Sequence, residues 1–315
     1  MEQGIIEIFQ QMVTLFIIVG VGYAAKRLNI MTDDFDKKLS KVIINLSLPA
    51  MILGAVLTAE ELPSLENIIL TFGLACASYA IVITLAYALT AIMRIHIGNR
   101  GVFKFMLCFG NVGFIGFPVL TALFGQEALI YAAVFNLPFN FLVFTIGIIF
   151  LAQDNKDSSK VKLTAKKLIS PAIISCIVAI ICTLLNIHNI PVIGDSLSTL
   201  GSLTTPAALL IIGSSLACLP VRELIGGARL WIASIFRLIV NPLVIWFVFH
   251  FFITDPLLLS VIVVVSGMPV ATNGTMLCYQ YGGNTHTMAQ GTFVTTVLAI
   301  VSIPVLTAFL KMFCI

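Results

Sequence analysis

Charge is what this sequence has least of. Only 10% of its 315 residues are Asp, Glu, Lys or Arg, whereas a soluble domain carries about 25%. So few charges exclude a water-exposed surface over most of the chain and leave lipid as its solvent. No Asp or Glu falls in the middle of any apolar run, which removes the obvious carriers of a proton or a sodium ion. Walker-type phosphate loops, HExxH, GxSxG and paired intramembrane aspartates are all missing, so neither ATP-driven work nor peptide or ester hydrolysis has its residues. The seven cysteines (76, 108, 176, 182, 218, 278 and 314) are scattered with no CxxC spacing and are expected to pack as small hydrophobes. All four histidines (96, 188, 250 and 286) sit at the ends of apolar runs. An enzyme is therefore not expected, and neither a cofactor nor a bound metal. The net charge of +3 is too small and dispersed for a nucleic-acid partner. Met1-Glu2-Gln3 lacks the basic start of a cleavable signal peptide.

What is abundant is apolar length. The chain is 59% hydrophobic, with a mean hydropathy of +1.10. A bilayer core needs about 20 apolar residues per helix. Counting such runs gives ten, at 5–25, 39–58, 67–92, 103–123, 128–152, 166–186, 196–218, 227–252, 256–280 and 286–312. Turn-forming residues separate them, as in Glu60-Glu61-Leu62-Pro63 and Gly282-Gly283-Asn284. Fifteen of the seventeen Lys and Arg residues fall in alternate loops, the largest group being Lys156, Lys160, Lys162, Lys166 and Lys167. The intervening loops carry Glu60, Glu61, Glu66, Glu127, Asp195 and Asp255. The positive-inside rule then puts the basic loops in the cytoplasm and both termini on the outer side of the cell (inner) membrane. Residues 1–152 form a first five-helix repeat, 153–165 a cytoplasmic linker and 166–315 a second five-helix repeat. An odd number of spans per half makes the second half enter the membrane in the opposite sense. Pro49-Ala50 matches Pro206-Ala207 at an offset of 157, and the same offset lays the fourth span on the ninth.

Those two spans are interrupted. The fourth reads Gly110-Asn111-Val112-Gly113-Phe114-Ile115-Gly116-Phe117-Pro118, and the ninth reads Gly267-Met268-Pro269-Val270-Ala271-Thr272-Asn273-Gly274-Thr275. Proline removes a donor and clashes with the preceding turn, while glycine tolerates unusual dihedrals. Half-helices meeting near mid-membrane are expected, and their N-termini would offer N–H groups and partial positive charge to an anion such as a carboxylate. Binding candidates are Asn111, Gly113, Gly116 and Pro118 in one span and Pro269, Thr272, Asn273, Gly274 and Thr275 in the other. The bland counterpart is a pair of proline kinks with asparagines as interhelical glue. Asn136 and Asn140 share a face of the fifth span around Pro138. They either widen the site or satisfy the kink. Asn45 and Ser47 before Pro49, and Thr204-Thr205 before Pro206, read as structural. Arg237, the one basic residue well inside a span, either balances a substrate carboxylate or bonds a broken helix's carbonyls while snorkelling. The second reading is favoured.

With these residues in view, the chain resembles the auxin efflux carrier family, in the bacterial branch that includes malate and malonate permeases. Gly110 to Pro118, continuing through Leu120 to Gly125 and Ala128 to Asn140, carries the resemblance, together with Met268 to Asn273 and Tyr281-Gly282-Gly283-Asn284. The second crossing proline of the plant carriers has Gly274 in its place. The resemblance implies an all-α membrane fold, with ten helices in two inverted repeats and crossed, broken fourth and ninth helices. The same architecture occurs in sodium/proton antiporters and bile-acid symporters. Spans one, two, six and seven would be a scaffold and homodimer contact; spans three to five and eight to ten would be the moving transport domain, with Asn111 touching substrate. The expected function is alternating-access carriage of a small organic anion, driven by the membrane potential or by a proton or sodium gradient. Membrane lipid is the other expected partner. The alternatives are a cation/proton antiporter on the same fold, which would want mid-membrane carboxylates, and a non-transporting membrane sensor, against which the short loops argue.

Overall fold

The computed structural model describes residues 2–59, 62–153, 171–217 and 226–313. Among these residues the chain is helical, with one isolated antiparallel bridge between Gly110 and Val270 and no strand. The helices are α1 (Glu2–Arg27), α2 (Asp33–Leu57), α3 (Leu65–Ile92), α4 (Ile97–Cys108), α5 (Phe117–Phe124), α6 (Glu127–Gln153) and α7 (Pro171–Leu184). They continue as α8 (Pro191–Ser202), α9 (Thr204–Ala217), α10 (Ala228–Phe249), α11 (Pro256–Ser266), α12 (Gly274–Tyr281) and α13 (Thr285–Phe313). Among the described residues, six stretches are long and apolar enough to cross a bilayer: α2, α3, α6, Pro191–Ser214, α10 and α13. The chain is thus a multi-pass helical membrane protein. Beyond Gln153, the expected cytoplasmic linker lies outside the described residues, as do Glu60, Glu61, Arg222 and the five lysines between 156 and 167.

Prolines shape the long helices. A proline inside a helix deletes one hydrogen bond and pushes away the carbonyl four residues earlier. Single wide turns of π type over Ile43–Ser47, Val112–Gly116 and Phe236–Val240 end two residues before Pro49, Pro118 and Pro242. A wide turn frees the carbonyl that the ring would strike, and such turns concentrate at functional places. Asn45 Nδ2 donates to the Lys41 carbonyl at 2.7 Å in the first of them.

The described chain forms two compact units. The first comprises Met1–Phe72, Gly113–Leu137 and Ile169–Leu219. Its helices approach through glycine, the usual device where lipid gives no hydrophobic drive. A Cβ on Gly213 would strike the Val19 carbonyl, and one on Gly22 the Leu210 carbonyl, so α1 and α9 touch backbone to backbone. Gly201 meets Met51, and Gly54 meets Ser198 at 2.9 Å, which seats α8 on α2. Where α1 gives way to α2, Lys26 pairs with Asp36 at 3.0 Å, and Ser214 donates to the same carboxylate at 2.6 Å. The Ser47 and Thr204 hydroxyls are hydrogen-bonded to each other in the interior.

The second unit comprises Gly73–Val112, Pro138–Leu168 and Pro220–Ile315. Its core is aromatic. Phe109 lies 5.0 Å from Phe105, 6.2 Å from Phe139 and 6.3 Å from Tyr79, centroid to centroid. Gly291 lets the Met106 sulfur reach the backbone of α13. Lys104 is buried with its ammonium 3.7 Å from the Tyr87 ring centroid, a cation–π contact inside the same unit.

The α1–α9 contact generates a test. Gly213→Ala overpacks a backbone contact, a change that costs about 1–3 kcal/mol, and is expected to lower the melting temperature in detergent by several degrees. Gly20→Ala, where a Cβ meets nothing within 4 Å, should leave it unchanged or slightly raised. Equal effects of the two substitutions would show that this contact is not what holds α1.

Candidate functional site

Two interrupted stretches of backbone meet inside the second unit. α4 stops at Cys108, and Phe109 is extended, with φ −110° and ψ 109°. α11 stops at Ser266, and helix resumes only at Gly274. Between these ends the chains pair antiparallel. Asn111 N–H donates to the Pro269 carbonyl at 2.7 Å, and Ala271 N–H donates to the Phe109 carbonyl at 3.0 Å. Val270 N–H is taken by the Thr295 hydroxyl of α13 at 3.0 Å, and that hydroxyl donates on to the Gly291 carbonyl at 2.7 Å. Non-helical backbone away from water is tolerated only with such partners.

The carbonyls at the stopped helices are held by one side chain. Arg237 Nε donates to the Met268 carbonyl at 2.9 Å, and its Nη1 donates to the Leu107 and Cys108 carbonyls at 3.0 and 3.2 Å. One turn on, Asn241 Nδ2 donates to the same Leu107 oxygen at 2.9 Å. Arg237 is 3% exposed, and its guanidinium is held among main-chain oxygens rather than reaching toward an aqueous face. The last carbonyls of a helix have no partner within it and carry roughly half a negative charge. Two such ends amount to about one unit, which one guanidinium balances. Gly110 is required here, because a Cβ at that position would occupy the place of Arg237 Nη2.

The expected site residues divide between the units. Asn111, Asn140, Pro269, Thr272, Asn273, Gly274, Thr275 and Arg237 belong to the second, and Gly113, Gly116, Pro118 and Asn136 to the first. Within the second unit, the bridge joins Asn111 to Pro269, and Arg237 joins the carbonyl ends beside them. Thr272 and Asn273 form the turn that leads into α12, and Asn273 makes no side-chain cap there. Pro118 stands at the first turn of α5, a position proline favours. Gly274 has a packing reason: a Cβ would lie 2.8 Å from Met288 Sδ and 2.9 Å from Phe105 Cε1. Asn140 lies half-buried on α6. Sequence reasoning passed over Thr295 and Asn241, which are among many polar residues on apolar helices; Asn241 carried one usable signal, its place just before Pro242.

The profile of a family described as membrane transport protein matches residues 7–307. An uncharacterized transporter of Methanocaldococcus jannaschii is 28% identical over 298 residues, covering 92% of this chain and 94% of that one. An uncharacterized transporter of Methanothermobacter thermautotrophicus is 22% identical over 297 residues, covering 94% and 96%.

A double-mutant cycle tests the Arg237 hub. Gly110→Ala should destabilise the wild type strongly and the Arg237→Lys background much less, because the clash is with the second guanidinium nitrogen. A coupling of about 1–3 kcal/mol between contacting sites is expected from the melting curves. Additive effects would show that the two residues do not touch.

Proposed function

The chain belongs to the membrane transport protein family, the auxin efflux carriers, and we propose that within it the chain carries small organic anions by alternating access. It is a transporter, not an enzyme. The substrates proposed are carboxylates such as malate, malonate or auxin-like acids.

The observation that carries this reading is the way charge is shared at the bridge. The carbonyl ends at Leu107, Cys108 and Met268 are satisfied and balanced by Arg237. What remains near the interruption is the opposite polarity, N–H groups at helix starts. Asn273 gives α12 no side-chain cap. A helix N-terminus with free N–H groups is an anion site. In this proposal the N–H groups at the start of α12 bind the carboxylate, and Asn111, Asn140, Thr272 and Asn273 orient it. Arg237 then acts on the anion only through the field it sets.

The wider architecture proposed is ten spans in two inverted five-helix repeats, with both termini on the outer side of the inner membrane. Ser47 and Thr204 support the repeat. They lie 157 residues apart, each two residues before a proline, and they bond each other. Equivalent residues of two repeats related by a two-fold axis touch only where they lie on that axis. Spans one, two, six and seven are proposed as scaffold and homodimer contact, and spans three to five and eight to ten as the part that moves.

Purified protein in vesicles, loaded on one side with labelled malate or malonate, tests the reading. Asn111→Ala should abolish carboxylate flux while leaving expression and melting temperature near wild type. Full flux in that variant, or none in the wild type for any carboxylate supplied, would overturn it.

A further inference from the structure

Within the second unit, α10 and α13 leave a groove between them. It holds about 400 Å³ and runs from Ile235 and Leu298 to Leu243 and Phe309. Its walls are apolar but for Ser302, whose hydroxyl is itself buried. Ile239, Val301 and Val305 form an exposed rim, and Leu238 and Leu306 a buried floor. Trp246, close to the end of α10, lies 4.9 Å from Phe309 and 6.0 Å from Phe313, centroid to centroid, close to the end of α13. His250 stacks on the same indole at 4.4 Å. Both helices therefore finish at this aromatic cluster, and the groove runs back from it toward mid-span.

Shape selects the occupant. From Leu298 to Phe309 a helix advances about 16 Å, close to half of a hydrocarbon core of about 30 Å. The volume spread over that length is a channel of about 25 Å² in section. A helix of a second copy is about 10 Å across and needs roughly three times that section. A polymethylene chain, whose carbons pack at contacts of about 4 Å, fits it. Water finds no partners on such walls, and a void of this size left empty forfeits packing on every side. Tryptophan favours the level of lipid headgroups, so a chain lying in the groove has its head beside the aromatic cluster. Lys311, two residues past Phe309, puts a positive charge at that level, which suits a phosphate. We propose that the groove binds one acyl chain of a membrane phospholipid, held as a ligand rather than exchanged as solvent.

The groove reaches the bridge through its floor. Leu238 follows Arg237 on the wide turn of α10. Leu306 packs on Gly267, where a Cβ would lie 2.8 Å from its Cδ2, and Pro242 Cγ meets the same point at 3.2 Å. At Leu306 one side chain thus separates the groove from the place where α11 stops. A chain seated in the groove keeps Leu238 and Leu306 pressed inward. Without it they have a void to swing into, and the backbone that Arg237 bonds at Met268 loses its backing. The lipid therefore braces the unwound stretch as well as filling space. None of this depends on which solute the protein carries.

The experiment strips protein purified in a mild detergent of its lipid and then returns dioleoylphosphatidylglycerol. Mass spectrometry of the intact complex should show one phospholipid retained per chain, and the melting temperature should rise by several degrees. Hydrogen exchange at the amides of Met268, Val270 and Ala271 should slow about tenfold, since local opening sets its rate. Ser302→Phe, which fills the groove with a ring, should retain no lipid, melt alike with and without it, and exchange slowly in both states. Should Ser302→Phe fail to fold, Ile239→Phe with Val301→Phe closes the groove from its exposed rim. Ile232→Phe, at an exposed position of α10 outside the groove, should behave as wild type. No retained phospholipid and no shift in melting overturns the site, and so does a mass gain of detergent alone. Lipid retained equally by the groove-filled variants overturns it too. A dimer that holds no lipid and dissociates in Ser302→Phe assigns the groove to a second copy instead. Lipid held in the groove with unchanged exchange at 268–271 overturns the brace.

Discussion

A single guanidinium bonded to the carbonyls of Leu107, Cys108 and Met268 is the constraint on which the second unit depends. Helix survives in lipid because it satisfies its own backbone, and a helix that stops early leaves carbonyls with neither water nor partner. Arg237 supplies donors where two such stops meet, and it carries the charge that two helix C-termini call for. Other features follow from that placement. Position 110 has to be glycine because the guanidinium takes the space of a side chain. Asn241, one turn along α10, completes the bonding of Leu107. The wide turn over Phe236–Val240 that carries Arg237 is itself the consequence of Pro242.

Once the negative ends are balanced, the local electrostatics become one-sided. N–H groups at the start of α12 lack a side-chain cap, and the unit's described residues hold no intramembrane carboxylate to answer them. The N–H end of α12 therefore carries the unbalanced, positive side of that field.

Much of the interruption is legible in the residue types alone. Pro269 and Gly110 are helix-breaking residues inside apolar runs, and apolar runs in lipid are helices unless something stops them, whereas helix runs on through Gly116 and Pro118. The preference for a carbonyl-bonding Arg237 is also reachable, because a buried charge needs partners and no carboxylate is at hand. Its separation from the aqueous face is not. The plant-type crossing proline makes Gly274 a departure, and the packing of Met288 and Phe105 supplies the reason. Thr295 and Asn241 do not stand out in the sequence, since a threonine on an apolar helix usually bonds its own preceding turn. Ser47 and Thr204 read as structural, and their mutual bond gives that reading a specific form.

By itself, then, the sequence determined the solvent, the helical state and the two points where helix fails. Those depend on composition and on local dihedral chemistry, which are properties of a residue and its near neighbours. Tertiary structure decided which oxygens meet which donors across separations such as the 130 residues between Leu107 and Arg237. Such contacts are set by the packing of whole helices, where a rotation of one residue, about 100°, exchanges one face for another. No local rule carries that information, so the hub and its glycine emerge only in three dimensions.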